Sequence, residues 1–148
     1  MKLTKFYLLV CLLALPFASC DDTYRSSIPD YYVNLQLNLT TTYPNFKSPN
    51  HYLVFDKRIS ATDGIGYGGI LVFCGWDNNY YAFDLACPKE SNSKIIVHPN
   101  DLGQAICDSC KTVFDLSYGV GNPISGSAKE TLRRYKANLS GDILYITR

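Results

Sequence analysis

The chain has 148 residues, enough for one ordinary domain. Its 14 Lys and Arg residues nearly balance its 13 Asp and Glu residues, which excludes a strongly basic nucleic-acid-binding protein. With 47% hydrophobic and only 18% charged residues, the composition also excludes an intrinsically disordered chain.

The amino-terminal residues have the composition of an export signal. Lys2 and Lys5 form a short basic start, and residues 6–17 are almost wholly apolar. That length is typical of a signal peptide and too short for a permanent membrane span. The apolar run ends in Phe17-Ala18-Ser19-Cys20, which is similar to a bacterial lipobox, although leucine is more usual than Phe17 at its position.

We therefore expect a signal peptide over residues 1–19 and a lipid on Cys20. A plain signal peptide that happens to contain cysteine is the alternative. The lipid would anchor the protein to a membrane of the bacterial cell envelope, facing the periplasm or the cell surface. Residues 20–29 are predicted to carry the lipid and form a flexible linker, and residues 30–148 to form the folded domain.

The folded part is predicted to be all-β. Residues 33–39 alternate apolar and polar side chains without a break, the pattern of a strand with one buried face. Further runs of strand-forming residues are separated by turn residues and cover 51–55, 70–74, 80–85, 94–97, 112–114, 134–139 and 143–146. No window shows convincing helical periodicity, so we expect a small antiparallel sandwich or barrel.

Common catalytic motifs are absent from the sequence. The glycine-rich segment 64–69 lacks the lysine of a P-loop and is predicted to be a flexible connection. His51 and His98 are the only histidines, which makes a Ser-His-Asp triad hard to build. A P-loop nucleotide-binding protein and a hydrolase of the triad class are therefore not expected.

Four cysteines lie in the predicted domain. Cys87 directly follows a predicted strand, and Cys107 and Cys110 form a Cys-x-x-Cys motif directly before another. Loops at strand ends are where β domains place metal ligands and redox thiols. Cys74 lies inside an apolar strand and is expected to be a buried core thiol.

The two cysteine loops and their surroundings resemble the Rieske iron–sulfur domain. The resemblance is carried by residues 81–88, the Cys107-x-x-Cys110 motif and residues 112–119, and it covers about residues 28–148. In that family the loops contain Cys-x-His and Cys-x-x-His, and two thiolates and two imidazoles bind a 2Fe–2S cluster. The resemblance implies a Rieske-like fold with a separate cluster-loop region and a role in electron transfer. It also implies that the protein is not itself an enzyme but at most an electron-transfer component of an oxidoreductase.

Two of the implied cluster ligands differ in this chain. Cys87 and Cys107 match the family's cysteines, but Lys89 and Cys110 stand at the two histidine positions. A lysine ammonium has no lone pair to donate at neutral pH. The sequence therefore predicts a lipid-anchored, Rieske-like domain that has lost its cluster and acts as a binding or structural module for an unknown protein partner.

Several states of the thiols remain open at this stage. Cys87 could form a disulfide with Cys107 or Cys110, because the resemblance brings these loops together and exported proteins are often oxidised. The three thiols could instead bind zinc, with His98 or Cys74 as the fourth ligand. An altered 2Fe–2S cluster would preserve electron transfer, and free thiols without a role are the last alternative.

Overall fold

The computed structural model describes residues 26–148. The predicted signal peptide 1–19 and Cys20 lie outside these described residues. The described chain is almost entirely β-structure with antiparallel pairing, so the predicted fold class is confirmed. Between residues 26 and 148 the only helix is a short 3-10 segment at Pro44–Lys47. No helix in this part of the chain has the length and apolar character needed to cross a membrane.

Eleven strands lie in the described part of the chain, joined by turns and loops. Their bounds are β1 (Val33–Asn38), β2 (Tyr52–Phe55), β3 (Gly64–Ile65), β4 (Ile70–Cys74), β5 (Tyr80–Asp84), β6 (Val97–Asn100), β7 (Gln104–Cys107), β8 (Val113–Asp115), β9 (Asn122–Ser125), β10 (Arg134–Ser140) and β11 (Ile143–Thr147). A seven-stranded sheet has the order β2-β4-β5-β10-β11-β1-β3, and a four-stranded sheet has the order β6-β7-β8-β9.

Strand β4 separates two hydrophobic cores. Ile70, Val72 and Cys74 face a core enclosed by the curved seven-stranded sheet. Leu71 and Phe73 face the opposite way, into a core shared with the four-stranded sheet. Since both faces of β4 are covered, its sequence is a continuous apolar run rather than an alternating one.

The four-stranded sheet departs most from the sequence predictions. The prediction of a strand at 94–97 is wrong except at its last residue, because β6 begins only at Val97. Strands β7 and β9, as well as β3 in the large sheet, were not predicted. Pro99 in β6 and Pro123 in β9 both lie in edge strands of the small sheet, where a missing backbone N–H is tolerated.

The first described residues are packed onto the domain. Ser27 Oγ donates a hydrogen bond to the carbonyl oxygen of Pro88 at 2.6 Å, and Ile28 is 1% exposed. Arg133 Nη1 donates to the carbonyl oxygen of Ile28 at 2.8 Å. The prediction that the flexible linker extends to residue 29 is therefore wrong at its carboxyl end, because Ser27 and Ile28 already belong to the folded domain.

One buried carboxylate at the end of β5 connects this strand with the segment before β4 and with β10. Asp84, at the end of β5, is fully buried and accepts the backbone N–H groups of Tyr67, Gly68 and Ala86 at 2.8, 2.9 and 2.7 Å. The hydroxyl of Tyr135 in β10 donates to the same carboxylate at 2.6 Å. Burial and the adjacent carboxylate raise the pKa of Tyr135, which keeps its hydroxyl protonated as a donor. The glycine-rich segment 64–69 is thus a fixed element, contrary to the predicted flexible connection.

We predict that Asp84→Asn lowers the free energy of unfolding by about 3 kcal/mol, since an amide nitrogen cannot accept the N–H donors and leaves them unsatisfied. Tyr135→Phe removes a single donor and should lower it by about 2 kcal/mol. Urea denaturation followed by tryptophan fluorescence measures both. Asp56→Asn, at an exposed carboxylate, is the control and should change stability by less than about 0.5 kcal/mol. Equal stability of Asp84→Asn and the unmodified chain would contradict this role of Asp84.

Candidate metal centre

Two loops with a common backbone pattern bring the cysteines together. Loop 1 (residues 85–96) joins β5 to β6, and loop 2 (residues 108–112) joins β7 to β8. The carbonyl oxygen of Cys87 accepts the N–H of Ser91 in loop 1 at 2.9 Å. In the same way the carbonyl oxygen of Cys107, at the end of β7, accepts the N–H of Lys111 in loop 2 at 2.9 Å. Ser91 and Lys111 both have positive φ, +47° and +56°. The Cys-x-x-Cys motif begins at the last residue of β7, which was not predicted, and precedes β8, in agreement with the sequence prediction.

The sulfur atoms of Cys87, Cys107 and Cys110 all lie within 4.8 Å of one another, and we call this group the thiol centre. Cys87 and Cys107 are fully buried, whereas Cys110 is half-buried on the solvent side of the thiol centre. All three are free thiols, and the Sγ atoms of Cys87 and Cys110 are 3.6 Å apart. No Asp, Glu or His among residues 26–148 completes this set of ligand atoms.

Thr112 orients the exposed thiol of the centre. It is fully buried, and its Oγ1 accepts the backbone N–H groups of Ser127 and Ala128 at 3.1 and 3.0 Å. A third hydrogen bond runs from the thiol of Cys110 to Thr112 Oγ1, with 3.1 Å between Sγ and Oγ1. When Cys110 loses its proton, the Thr112 hydroxyl becomes the donor of this hydrogen bond and stabilises the thiolate.

The pKa values of Cys87 in loop 1 and Cys110 in loop 2 are shifted in opposite directions. Burial raises the pKa of Cys87 to about 12, although the backbone N–H groups of Glu90 and Lys89 partly oppose it. Burial also acts to raise the pKa of Cys110. There it is outweighed by hydrogen bonds from the hydroxyl and N–H of Thr112 and from the other two thiols, so the pKa lies below its usual value. Cys110 therefore ionises at a lower pH than Cys87.

The other residues considered from the sequence lie outside the thiol centre. The Nζ of Lys89 donates to Ser127 Oγ at 2.6 Å, which holds the side chain across the gap between the two loops. His98 is exposed in β6, with Nε2 3.6 Å from the Asp108 carboxylate. Cys74 belongs to the core enclosed by the seven-stranded sheet, whereas Cys87 and Cys107 belong to the other core. Neither His98 nor Cys74 is thus a fourth ligand.

Two residues of the site were not identified from the sequence. Thr112 follows Cys110 by two positions, and Ser127 lies beyond β9. Ser127 links Lys89 to loop 2, since its Oγ also donates to the carbonyl oxygen of Cys110 at 3.4 Å. A threonine at the start of a predicted strand has no sequence signal that separates it from an ordinary strand residue.

Comparisons with known proteins leave the family of this chain open. No protein-family model matches the sequence, and no curated protein matches it. Among solved structures, the fold is similar to a chain from a complex of reduced oxygenase and oxidized ferredoxin in carbazole 1,9a-dioxygenase. The two chains are 12% identical with a TM-score of 0.48, and the match covers 76% of this chain and 100% of that chain.

We predict that Thr112→Val raises the pKa of Cys110 and slows its alkylation at neutral pH, because the sulfur loses the hydroxyl that stabilises its thiolate. The rate should fall about tenfold for each unit by which the pKa rises. The measurement is the pH profile of Cys110 alkylation in reduced, metal-free protein, followed by mass spectrometry of the cysteine peptides.

Thr112→Ser is the matched control, since it keeps the hydroxyl and should retain the pH profile of the unmodified chain. Near-ultraviolet circular dichroism checks that both variants fold, because valine leaves the N–H groups of Ser127 and Ala128 without an acceptor. A folded Thr112→Val protein with an unchanged profile would show that the hydroxyl does not set the acidity of Cys110.

Proposed function

We propose that this protein is a lipid-anchored domain of the bacterial cell envelope whose thiol centre binds one zinc ion through Cys87, Cys107 and Cys110. The observation that carries the proposal is the convergence of three sulfur atoms within 4.8 Å, two of them fully buried. Thiolates are the preferred soft ligands of zinc, and a bound zinc ion deprotonates a coordinating thiol even when its pKa is raised.

The spacing of the sulfur atoms suits a single metal ion. With Zn–S bonds of about 2.3 Å, tetrahedral coordination places thiolate sulfurs about 3.8 Å apart. The 3.6 Å between the sulfurs of Cys87 and Cys110 is close to that edge length. Three thiolates also leave one coordination position for a water molecule or an outside donor, on the side where Cys110 is half-buried.

The ligands present do not fit an ordinary Rieske cluster. That cluster needs two imidazoles on one iron and two thiolates on the other. Lys89 is engaged with Ser127, Cys110 replaces the second imidazole, and His98 faces Asp108 instead. In our proposal the protein keeps a Rieske-like arrangement of paired loops but is not an electron carrier of the two-imidazole kind.

A zinc ion in the thiol centre would have a structural role. It would join loop 1 to loop 2, whose sulfur atoms are already in contact through Cys87 and Cys110. The small sheet and the large one share a core beneath these loops, so the metal would fix their relative position at this end. We propose that the domain so stabilised is a binding module for an envelope partner rather than an enzyme.

A disulfide between Cys87 and Cys110 is the second candidate. Their sulfurs are in contact, and the lowered pKa of Cys110 makes it the thiolate that would attack an external disulfide and release one of its two thiols. Cys87 would then attack the mixed disulfide at Cys110 and release the second thiol. An oxidising compartment would favour the bond, whose length is about 2.05 Å. The disulfide would use two of the three sulfurs and leave Cys107 buried and unpaired, whereas zinc uses all three.

We predict that the full chain, purified in detergent and reduced, binds one zinc ion per molecule as measured by metal analysis. Cys87→Ser, Cys107→Ser and Cys110→Ser should each abolish stoichiometric binding. Free zinc at a hundred times the dissociation constant should raise the free energy of unfolding by about 2.7 kcal/mol, and a chelator should reverse this. Cys74→Ser is the matched control, because it changes a buried cysteine of the other core and should leave the stoichiometry unchanged.

Two results would overturn the zinc proposal. Stoichiometric iron and inorganic sulfide in the purified protein would establish an altered cluster and an electron-transfer role. A metal-free chain lighter by two hydrogens, with Cys87 and Cys110 joined in one peptide pair after digestion without reductant, would establish the disulfide.

A further inference from the structure

The chain enters the described domain beside the thiol centre. The N–H of Ser27 donates to Glu130 Oε2 at 3.0 Å, and its hydroxyl donates to the carbonyl oxygen of Pro88 at 2.6 Å. Pro88 directly follows Cys87 in loop 1. Ser27, Pro88, Lys89 and Lys129 line one cleft of about 260 Å³. An anchor at the amino terminus would therefore be connected to the domain next to the loops that carry the cysteines.

The covalent distance from this point to the predicted lipid is short. Cys20 precedes Ser27 by seven residues, which can span at most about 25 Å when fully extended. A domain of about 120 residues is about 35 Å across. The tether is thus shorter than the domain, and the end that carries the thiol centre is the one held within reach of the bilayer.

The opposite end of the domain is identified by the strand directions. Strand β7 runs from Gln104 to Cys107 and β8 runs antiparallel to it, so the residues before β7 and after β8 lie away from the cysteines. This end exposes Leu102 and Tyr118, 73% and 65% accessible. None of the large exposed apolar side chains between residues 26 and 148 lies in residues 85–96, 107–112 or 126–130. These segments present exposed Lys89, Lys94, Lys111 and Lys129 together with the acidic residues Glu90, Asp108 and Glu130. The surface is therefore polar with a small excess of positive charge, which suits contact with lipid headgroups.

We propose that the surface formed by loop 1, loop 2 and residues 126–130 lies against the bilayer that holds Cys20, so that the open side of the thiol centre faces the lipid headgroups. The proposal rests on the lipid anchor of the proposed function and not on the bound metal. In this orientation small solutes can still reach Cys110, whereas the bilayer blocks the access of a large soluble protein.

The test uses the full, acylated chain in nanodiscs of phosphatidylcholine and phosphatidylglycerol that contain a gadolinium-chelating lipid. Paramagnetic relaxation enhancement of the backbone amide signals reports their distance from the bilayer surface. We expect enhancement of Glu90, Asp108 and Lys129 several-fold greater than that of Leu102 and Tyr118. Stronger or equal enhancement at Leu102 and Tyr118 would overturn the orientation.

A variant with about twenty Gly and Ser residues inserted after Tyr24 is the matched control, because its linker can then reach beyond the width of the domain. The difference between the two ends should shrink in this variant, and an unchanged difference would show that the tether does not set the orientation. Recovery of the protein without an acyl mass on Cys20 would also overturn the proposed orientation.

The same samples with and without zinc separate the two proposals. An oriented domain that binds no zinc contradicts only the metal proposal, and a zinc-binding domain without orientation contradicts only this one.

Discussion

The arrangement of the thiol centre depends on the two buried polar residues of the described chain, Asp84 and Thr112. A buried polar group is costly unless its hydrogen bonds are satisfied, and both side chains are fully used. Asp84 accepts the N–H of Ala86, directly before Cys87, and so fixes the start of loop 1. Thr112 contacts the sulfur of Cys110 and so fixes loop 2. Each cysteine loop is therefore positioned by one buried hydrogen-bonding residue, and this constraint makes the three sulfurs converge.

The two cores give these loops a rigid base. The curved seven-stranded sheet encloses one core and supplies its outer face, through Leu71, Phe73 and Phe83, to the other. Cys87 and Cys107 are members of that second core, so their sulfurs are buried by the same apolar packing that joins the sheets. This burial explains the raised pKa of Cys87 and why only Cys110 is available at the surface.

The sequence predicts the parts of this structure that follow from local pattern. The alternation in residues 33–39 and the apolar run at 70–74 correspond to β1 and β4, because side-chain periodicity directly reflects which faces are covered. Strands β6 and β9 are hard to predict because each contains proline, which only their edge positions permit. The cysteine motifs identify the two loops. Thr112 and Ser27 help to position these loops through hydrogen bonds to residues distant in sequence, which no local pattern encodes.

Lys89 has a physical rationale beside the zinc site that we propose for the three thiols. A zinc ion held by three thiolates has one net negative charge, and a partly buried charge is costly unless an opposite charge lies near it. Lys89 is held between the loops by its hydrogen bond to Ser127, which itself bonds to the carbonyl oxygen of Cys110. Its ammonium therefore lies next to the residue that contacts the Cys110 backbone, where it would help to offset the charge of a bound zinc ion. In the proposed zinc site a thiolate at position 110 would add a negative charge that an ammonium at position 89 would offset, whereas a histidine ligand would add only a neutral donor.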